Sequence, residues 1–543
     1  MRFNSFGLAL LALALASPAP AQTAAAAETF TPEAFRSHVT FLADDRLEGR
    51  DSGSRGYDLA ALYVASRFEA LGLKPAGQDG WYQQVPFLEY RLAGEPASLT
   101  IGDRRRFVHG QEVVLSPTPE EAPVSVEAPV VFAGYGLRAP ELGIDDYKGL
   151  DVRGKVVAVL NGFPRDMKSD IGAHLNSEKR RIASEHGAVG LLLIRTREET
   201  KRRPWSRMQE NANEPAMGWI DEDGRPYGPA PGLRFRGTLD TEAAEALFAG
   251  ARTPLAQVLD QAERSGGRPK GFALKARVAV SQQSQLRRFT SPNVLAVLPG
   301  SDPALAGEYV LLMGHLDHEG MKEGAKETGG DRIYNGAMDN AVGIATMLEV
   351  ARAMAASPDR LKRSILFAAV TAEEDGLLGA QYLARHPVPG GKVAAVVNLD
   401  MPVLLYDFTD VIAFGAEHST MGKAVERAGR GMGVALSEDP LPQEGLFTRS
   451  DHYRFVQEGV PSVFLMTGFA NGGREKFTDF LATHYHKVSD QLSLPIDWQA
   501  GAKFARINYE IAREIADAPE APRWYADSFF GKTLARDREK APR

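Results

Sequence analysis

Four apolar runs in the C-terminal half of the chain end in polar residues of the types that bind metals. Tyr309 to Gly314 leads into His315-Leu316-Asp317-His318, and Ile365 to Thr371 leads into Ala372-Glu373-Glu374-Asp375-Gly376. Val393 to Leu399 delivers Asp400, and Val463 to Met466 opens into the Gly468 to His486 loop with Tyr485 and His486 near its end. A further acid, Asp339, stands beside Asn340 at the start of the helical pattern Ala341 to Ala355, where Asp and Asn are favoured caps. Ligands of open α/β sheets gather at the carboxyl ends of strands, so one rim of one sheet would collect histidines and several carboxylates. That mixture suits zinc, which accepts imidazole and carboxylate ligands alike.

Taken singly these signals are weak. Asp339 alone reads as a helix cap, Glu373-Glu374 as a solvated turn, and an H-x-D triplet is common by chance. His452, opening a helix-like stretch away from any strand end, reads as structural. The order and the strand-end context together carry the metal reading.

The elements that would position these residues follow from pattern and length. A chain of 543 residues excludes a single small fold, and 44% hydrophobic with 24% charged residues is ordinary for a globular protein. After Ser291-Pro292-Asn293 the texture is strand, loop, helix, strand to about Ala516, which predicts an α/β domain with a mainly parallel central sheet. Residues 30 to 90 read as amphipathic and helical. From Pro117 to Gln285 short β-rich runs alternate with helix-like stretches, the texture of an inserted β-rich α+β unit. The expected organisation is thus 28–116 and 286–520 for the two parts of the main domain, 117–285 for the insertion, and a C-terminal tail over 521–543, its last charged stretch from Arg536 loose.

Met1 to Ala21 has a short basic start, an apolar core from Gly7 to Ala16 and an Ala-Pro-Ala site. It reads as a signal peptide over 1–21, so the mature protein is expected to be secreted or periplasmic. No later segment reaches the roughly 18 apolar residues of a membrane span, so no stable membrane insertion is expected. A net charge of -7 offers no general attraction to nucleic acid. Cysteine is absent, which excludes disulfides, thiolate metal sites and a cysteine nucleophile.

The sequence resembles the di-zinc aminopeptidases of metallopeptidase family 28. The resemblance rests on Gly314 to His318, Gly336 to Gly343, Ala372 to Gly379, Asn398 to Met401, Arg449 to His452 and Tyr485 to Asp490. It reaches back to Leu47-Glu48-Gly49-Arg50 and Gly72 to Gly77. The 117–285 segment is similar to a protease-associated domain through Phe132-Ala133-Gly134-Tyr135-Gly136 and Gly154-Lys155-Val156-Val157. A departure is Met338, where many relatives carry an acid.

The resemblance implies a zinc exopeptidase fold holding two zinc ions, one on His315 and Asp400, the other on Glu374 and His486, with Asp339 as the bridge. It implies Glu373 as general base, Tyr485 as donor to the oxyanion, Asp317 as the residue that orients the His315 imidazole, and peptides as substrates. Rival readings are a glutamate-releasing carboxypeptidase, for which Arg332, Arg449 and Arg474 are the arginines that could meet a substrate carboxylate, a receptor-like relative without catalysis, and a one-metal glutaminyl cyclase. Side-chain preference and oligomeric state are not readable from the sequence.

Overall fold

The computed structural model describes residues 30–102, 105–228, 230–322 and 330–543. The expected signal peptide, 1–21, lies outside the described residues. Their larger sheet has ten strands, in the order Ala216–Trp219, Tyr82–Leu92, Ser284–Leu298, Ser364–Val370, Glu308–His315, Lys392–Leu399, Ser462–Thr467, Asp410–Phe414 and Ala435–Ser437, with Lys74–Pro75 pairing beside Ser284–Leu298. The four strands from Ser364–Val370 through Ser462–Thr467 run parallel. Antiparallel pairs flank this parallel centre on both sides, so the whole sheet is mixed.

The parallel strands read as continuous apolar runs because both faces are covered, so alternation has no advantage there. Every residue of Ser364–Val370 and Ser462–Thr467 is buried. Helices Pro32–Leu42, Val342–Ala356 and Trp498–Ala516 pack together in the larger apolar core, which takes in one face through Val310, Leu312, Ile365 and Phe367. Leu311, Met313, Leu366 and Ala368 point the other way, into a second cluster with Leu383 and Phe455 from helices Leu378–Arg385 and His452–Gln457. The 30–90 segment, read as helical, forms helices only over Pro32–Leu42 and Arg55–Ala70, with a short 3-10 stretch over Asp45–Arg50. Tyr82–Leu92 is a strand, paired along its length with Ser284–Leu298, so tertiary pairing decides its state.

A second, eight-stranded sheet runs Arg105–Val108, Ser98–Ile101, Phe272–Gln282, Val124–Phe132, Val156–Leu160, Gly190–Ile194, Phe235–Leu239 and Val113–Leu115. Sheet membership therefore changes at Ser98, earlier than the boundary expected at Pro117, because Ser98–Ile101 pairs with Phe272–Gln282. Only Gln283 separates Phe272–Gln282 in this sheet from Ser284–Leu298 in the larger one, and Ala216–Trp219 crosses back to pair with Tyr82–Leu92. The two sheets are thus tied through strands. Side chains add to this: His174 Nδ1 lies 2.6 Å from the Tyr453 hydroxyl, and His418 Nε2 lies 2.7 Å from Asp170 Oδ2.

The segment 521–543, expected as a tail whose end is loose, is packed. Trp524 is 1% exposed and Phe530 is fully buried, and Trp524 Nε1 donates to the Gly459 carbonyl at 2.8 Å. Ala541 N donates to the Trp524 carbonyl at 2.8 Å, which pins even the charged end. Burial of three aromatic residues, Trp524, Phe529 and Phe530, outweighs the polar composition around them. Trp524→Ala should therefore lower unfolding free energy by about 3–5 kcal/mol, read as a lower denaturant midpoint. A midpoint equal to wild type would return the segment to the status of a loose tail.

Candidate metal centre

The polar residues after the parallel strands are held by a set of buried hydrogen bonds. Arg50, 1% exposed, donates from Nε to the Leu316 carbonyl at 2.9 Å, from Nη1 to the Leu42 and Asn335 carbonyls, and from Nη2 to the Gly336 carbonyl at 3.1 Å. Burial lowers its pKa to about 10, which leaves it charged at neutral pH. One guanidinium thereby joins the turn after His315 to the turn before Asp339. Gly336 sits in the left-handed region at φ 57, and a Cβ there would lie 2.1 Å from the Asp339 carbonyl oxygen and 2.6 Å from the His318 ring, so only glycine fits.

Asp339 is not a helix cap. It lies at φ -114 and ψ 89 inside the wide turn Ala337–Ala341, ahead of helix Val342–Ala356. The neighbouring Asn340 does the anchoring: its Oδ1 accepts from Gly343 N and Met401 N, both at 3.1 Å, and its Nδ2 donates to the Leu399 carbonyl at 2.8 Å. The backbone of Asp339 is fixed by Asp490, whose two carboxylate oxygens accept from Met338 N at 2.9 Å and Asp339 N at 3.0 Å. Asp400 accepts at Oδ2 from Ser450 Oγ at 2.5 Å. Asp317 accepts from Glu373 N and Glu374 N, each at 3.2 Å, so its carboxylate holds the Glu-Glu turn. The His315 ring is met instead by the Asp317 main-chain carbonyl, 3.2 Å from Nδ1. Asp317 therefore meets the His315 imidazole through its main chain, while its carboxylate serves the Glu-Glu turn.

The five expected ligands converge. His315 Nε2 lies 3.2 Å from Asp339 Oδ1 and 3.1 Å from Asp400 Oδ1. His486 Nε2 lies 3.3 Å from Asp339 Oδ2 and 3.2 Å from Glu374 Oε2. Asp339 thus turns one oxygen to each histidine and stands between two donor sets. His315, Glu373 and Glu374 also offer mutually close atoms, within 4.8 Å of one another, as do His315, Asp339 and Asp400. Zinc sits about 2 Å from each nitrogen or oxygen ligand, so such spacing lets one ion touch all members of a set. The Tyr485 ring lies beside that of His486, centroids 3.9 Å apart and tilted by 34°.

Electrostatics at the cluster is governed by burial against charge pairing. Burial opposes protonation of His315, yet the charges of Asp400 and Glu373 and hydrogen bonds to Asp339 and Asp400 win and hold its pKa well above the usual value. For His486 burial also opposes, and hydrogen bonds to Asp339 and Glu319 with the charge of Glu374 raise it to about 11. Burial favours a protonated Asp339, but bonds to the two histidines keep it well below the carboxylate range. Glu373 goes up, through burial and then the Asp400 and Glu374 charges. Burial, with the charges of Asp339, Glu374 and Glu373, raises the Tyr485 hydroxyl. Carboxylates crowded away from water require positive charge, and here histidines supply it. A divalent cation on the same oxygen and nitrogen donors meets that requirement with matched chemistry, so the residues fit zinc.

Several residues at the cluster had no assigned role in the sequence reading. His318 is buried, with Nδ1 2.7 Å from Glu374 Oε1 and Nε2 without a hydrogen-bond partner among the described residues. Glu319 lies 3.2 Å from His486 Nδ1. His318 stood inside the quoted Gly314 to His318 phrase and Asp490 at the end of the Tyr485 phrase, which was the available signal. Arg50 stood at the end of the quoted Leu47-Glu48-Gly49-Arg50 phrase and Glu319 directly follows His318, but residue type and spacing marked a role for neither. His452 packs between the rings of Phe447 and Phe464, and burial lowers its pKa to about 3, so it stays neutral at physiological pH.

The family model of peptidase family M28 matches residues 293–512. The chain is 30% identical over 193 residues to a probable leucine aminopeptidase 2 of Aspergillus fumigatus, covering 34% of this chain and 35% of that protein. It is 39% identical over 109 residues to a probable zinc metalloprotease of Pyrenophora teres f. teres, covering 20% and 22%. The chain thus spans about a third or less of the length of these curated relatives. Its fold is similar to that of an aminopeptidase from Aneurinibacillus sp. strain AM-1, with TM-score 0.52 and 19% identity over 95% of this chain and 98% of that one.

Arg50→Met keeps much of the apolar stem but removes every donor, leaving buried carbonyls unmet at about 1–3 kcal/mol each. The variant should be destabilised by several kcal/mol and should bind divalent metal more weakly, measured by denaturant unfolding and metal titration. Unchanged metal affinity in a folded variant would show that Arg50 does not set the ligand geometry.

Proposed function

We propose that the protein, whose residues 293–512 match the model of peptidase family M28, is a zinc-dependent exopeptidase that removes N-terminal residues from peptides. The observation that carries this reading is Asp339, whose two carboxylate oxygens face different histidines, His315 with Asp400 on one side and His486 with Glu374 on the other. In this reading two zinc ions are held by those five residues, with Asp339 shared. When bound, the ions would supply positive charge that polarises the scissile carbonyl and lowers the pKa of the attacking water.

The chain's own residues do the rest. Glu373 takes a proton from the attacking water and returns it to the leaving amine, a task for which a carboxyl raised by burial is suited. Asp317 fixes the backbone of Glu373 and Glu374 through two N–H bonds, so that neighbouring side chains serve one centre at a point where the strand has ended. Tyr485, its hydroxyl kept protonated, donates to the oxygen that becomes negative in the transition state. Ser450 holds Asp400 in place. The segment expected as a protease-associated domain would border the site and limit which substrates reach it. The Met1 to Ala21 segment supports export as the cellular setting.

Chelation should abolish peptide hydrolysis and zinc should restore it, with close to two equivalents bound per chain by metal analysis. Clearly less than one equivalent in active protein would overturn the two-ion assignment. N-acetylated peptides should resist cleavage while the same peptides with a free amino end are hydrolysed. The reverse pattern would favour a carboxypeptidase.

Glu373→Gln keeps size and most hydrogen bonding but removes the base, so kcat should fall by at least about 10²-fold with zinc content unchanged. A variant with near-normal kcat would move the base elsewhere.

A further inference from the structure

A cavity of about 960 Å³ opens where the eight-stranded unit meets the larger domain, walled by residues of the Asn161–Asn176 stretch, helix Arg197–Arg202 and the Pro442–Arg449 loop. Its volume is at the upper end of the roughly 300–1,000 Å³ typical of ligand sites. Arg449 lines it. The next residue, Ser450, is the one that donates to Asp400 at 2.5 Å. Arg449 is also close enough for its charge to act on the Tyr485 hydroxyl.

The wall is cationic in a specific sense. Its acids already have partners: Glu198 meets Arg165 at 3.1 Å, Glu263 meets Arg197 at 2.8 Å, Glu199 accepts from Asn161 at 2.7 Å, and Glu444 lies 3.8 Å from Arg202 and 4.0 Å from Arg449. Lys168 and Arg203, on the same wall and both exposed, have no carboxylate within 4.0 Å among the described residues. Six basic against four acidic side chains line the space, a surplus of two positive charges on the lining itself; outside it Arg197 also meets Asp260 at 2.8 Å and the Lys168 charge acts on Asp170. A pocket wall with unmatched charge favours a ligand of opposite sign.

We propose that this cavity receives the negatively charged far end of a peptide whose amino end lies at the metal-ligand cluster, so that the preferred substrates are short peptides bearing a carboxylate beyond the cleaved residue. The proposal rests on the exopeptidase reading above and adds the substrate class. The recognised chemistry is a carboxylate next to Lys168 and Arg203, supplied either by the peptide C-terminus or by an acidic side chain. Binding energy gathered there, away from the reacting bond, favours peptides over single aminoacyl derivatives.

The test uses the zinc-loaded full chain and four substrates that share the N-terminal residue most readily cleaved from aminoacyl 4-nitroanilides. They are that 4-nitroanilide, the tripeptide continuing Gly-Gly with a free carboxylate, its C-terminal amide, and an amide continuing Gly-Glu. The free acid should show kcat/KM at least about tenfold above the Gly-Gly amide, the scale of one charge-assisted contact. The Gly-Glu amide tells the two sources apart: it matches the free acid if any carboxylate serves, and stays with the Gly-Gly amide if the C-terminus is required. The acid-to-amide ratio should shrink towards one in a Lys168→Glu, Arg203→Glu double variant, and in wild type as salt is raised, since exposed charges are screened. Equal kcat/KM for acid and amide, with the nitroanilide still cleaved, would overturn the proposal and leave the exopeptidase reading standing. So would an acid preference that neither the double variant nor salt alters. No hydrolysis of any of the four would overturn the exopeptidase reading and this proposal with it.

Discussion

The rest of the structure is organised around the crowding of carboxylates out of water at one point. Asp317, Asp339, Glu373, Glu374, Asp400 and Asp490 all meet within the rim of the larger sheet, where each unpaired charge would be costly. The fold answers with positive charge and with N–H groups. Two histidines share Asp339, one buried arginine braces the turns on either side, and two of the acids spend both oxygens on backbone donors. Burial pushes both of those clamp acids, Asp317 and Asp490, up to about 6, so their ionised form depends on the hydrogen bonds they accept.

This explains why the site stands at the ends of the parallel strands. Strands Ser364–Val370, Glu308–His315 and Lys392–Leu399 are adjacent and parallel, so their carboxyl ends emerge together and deliver Glu373, His315 and Asp400 to one place. Asp339 and His486 come from turns outside the sheet and need separate anchors. Asn340 ties the first to the end of Lys392–Leu399, and the positive φ of His486, at 53, shows how sharply its turn is bent to face inward. A rigid scaffold with ligands on strand ends and completion from turns gives precision without needing long-range flexibility.

The second sheet is joined to the first by strands that pass between them. Helix Ser169–Ser177 packs through His174 against Tyr453, Phe529 and Phe530, which connects the packed C-terminal segment to the same boundary. The charged wall of the cavity, the Arg449 to Ser450 step and Asp400 form one continuous stretch of structure from the boundary to the metal-ligand cluster.

The sequence by itself determined which residues could carry the chemistry, because apolar strands ending in His, Asp and Glu have a pattern that survives without coordinates: His315, Glu373, Glu374 and Asp400 follow their strands as read. It also determined an α/β class, since continuous apolar runs alternating with helical patterns have few other ways to be buried. Only tertiary structure decided what depends on partners far along the chain. Tyr82–Leu92 is a strand because Ser284–Leu298 lies beside it, and the Trp524 segment is packed because a groove near Gly459 accepts the indole. The Asp317 carboxylate meets the N–H groups of the Glu-Glu turn 56 and 57 residues on, and Arg50 braces turns some 270 residues away. Local pattern records which face of an element is apolar and where it ends; it carries no record of which distant backbone group a buried side chain will meet.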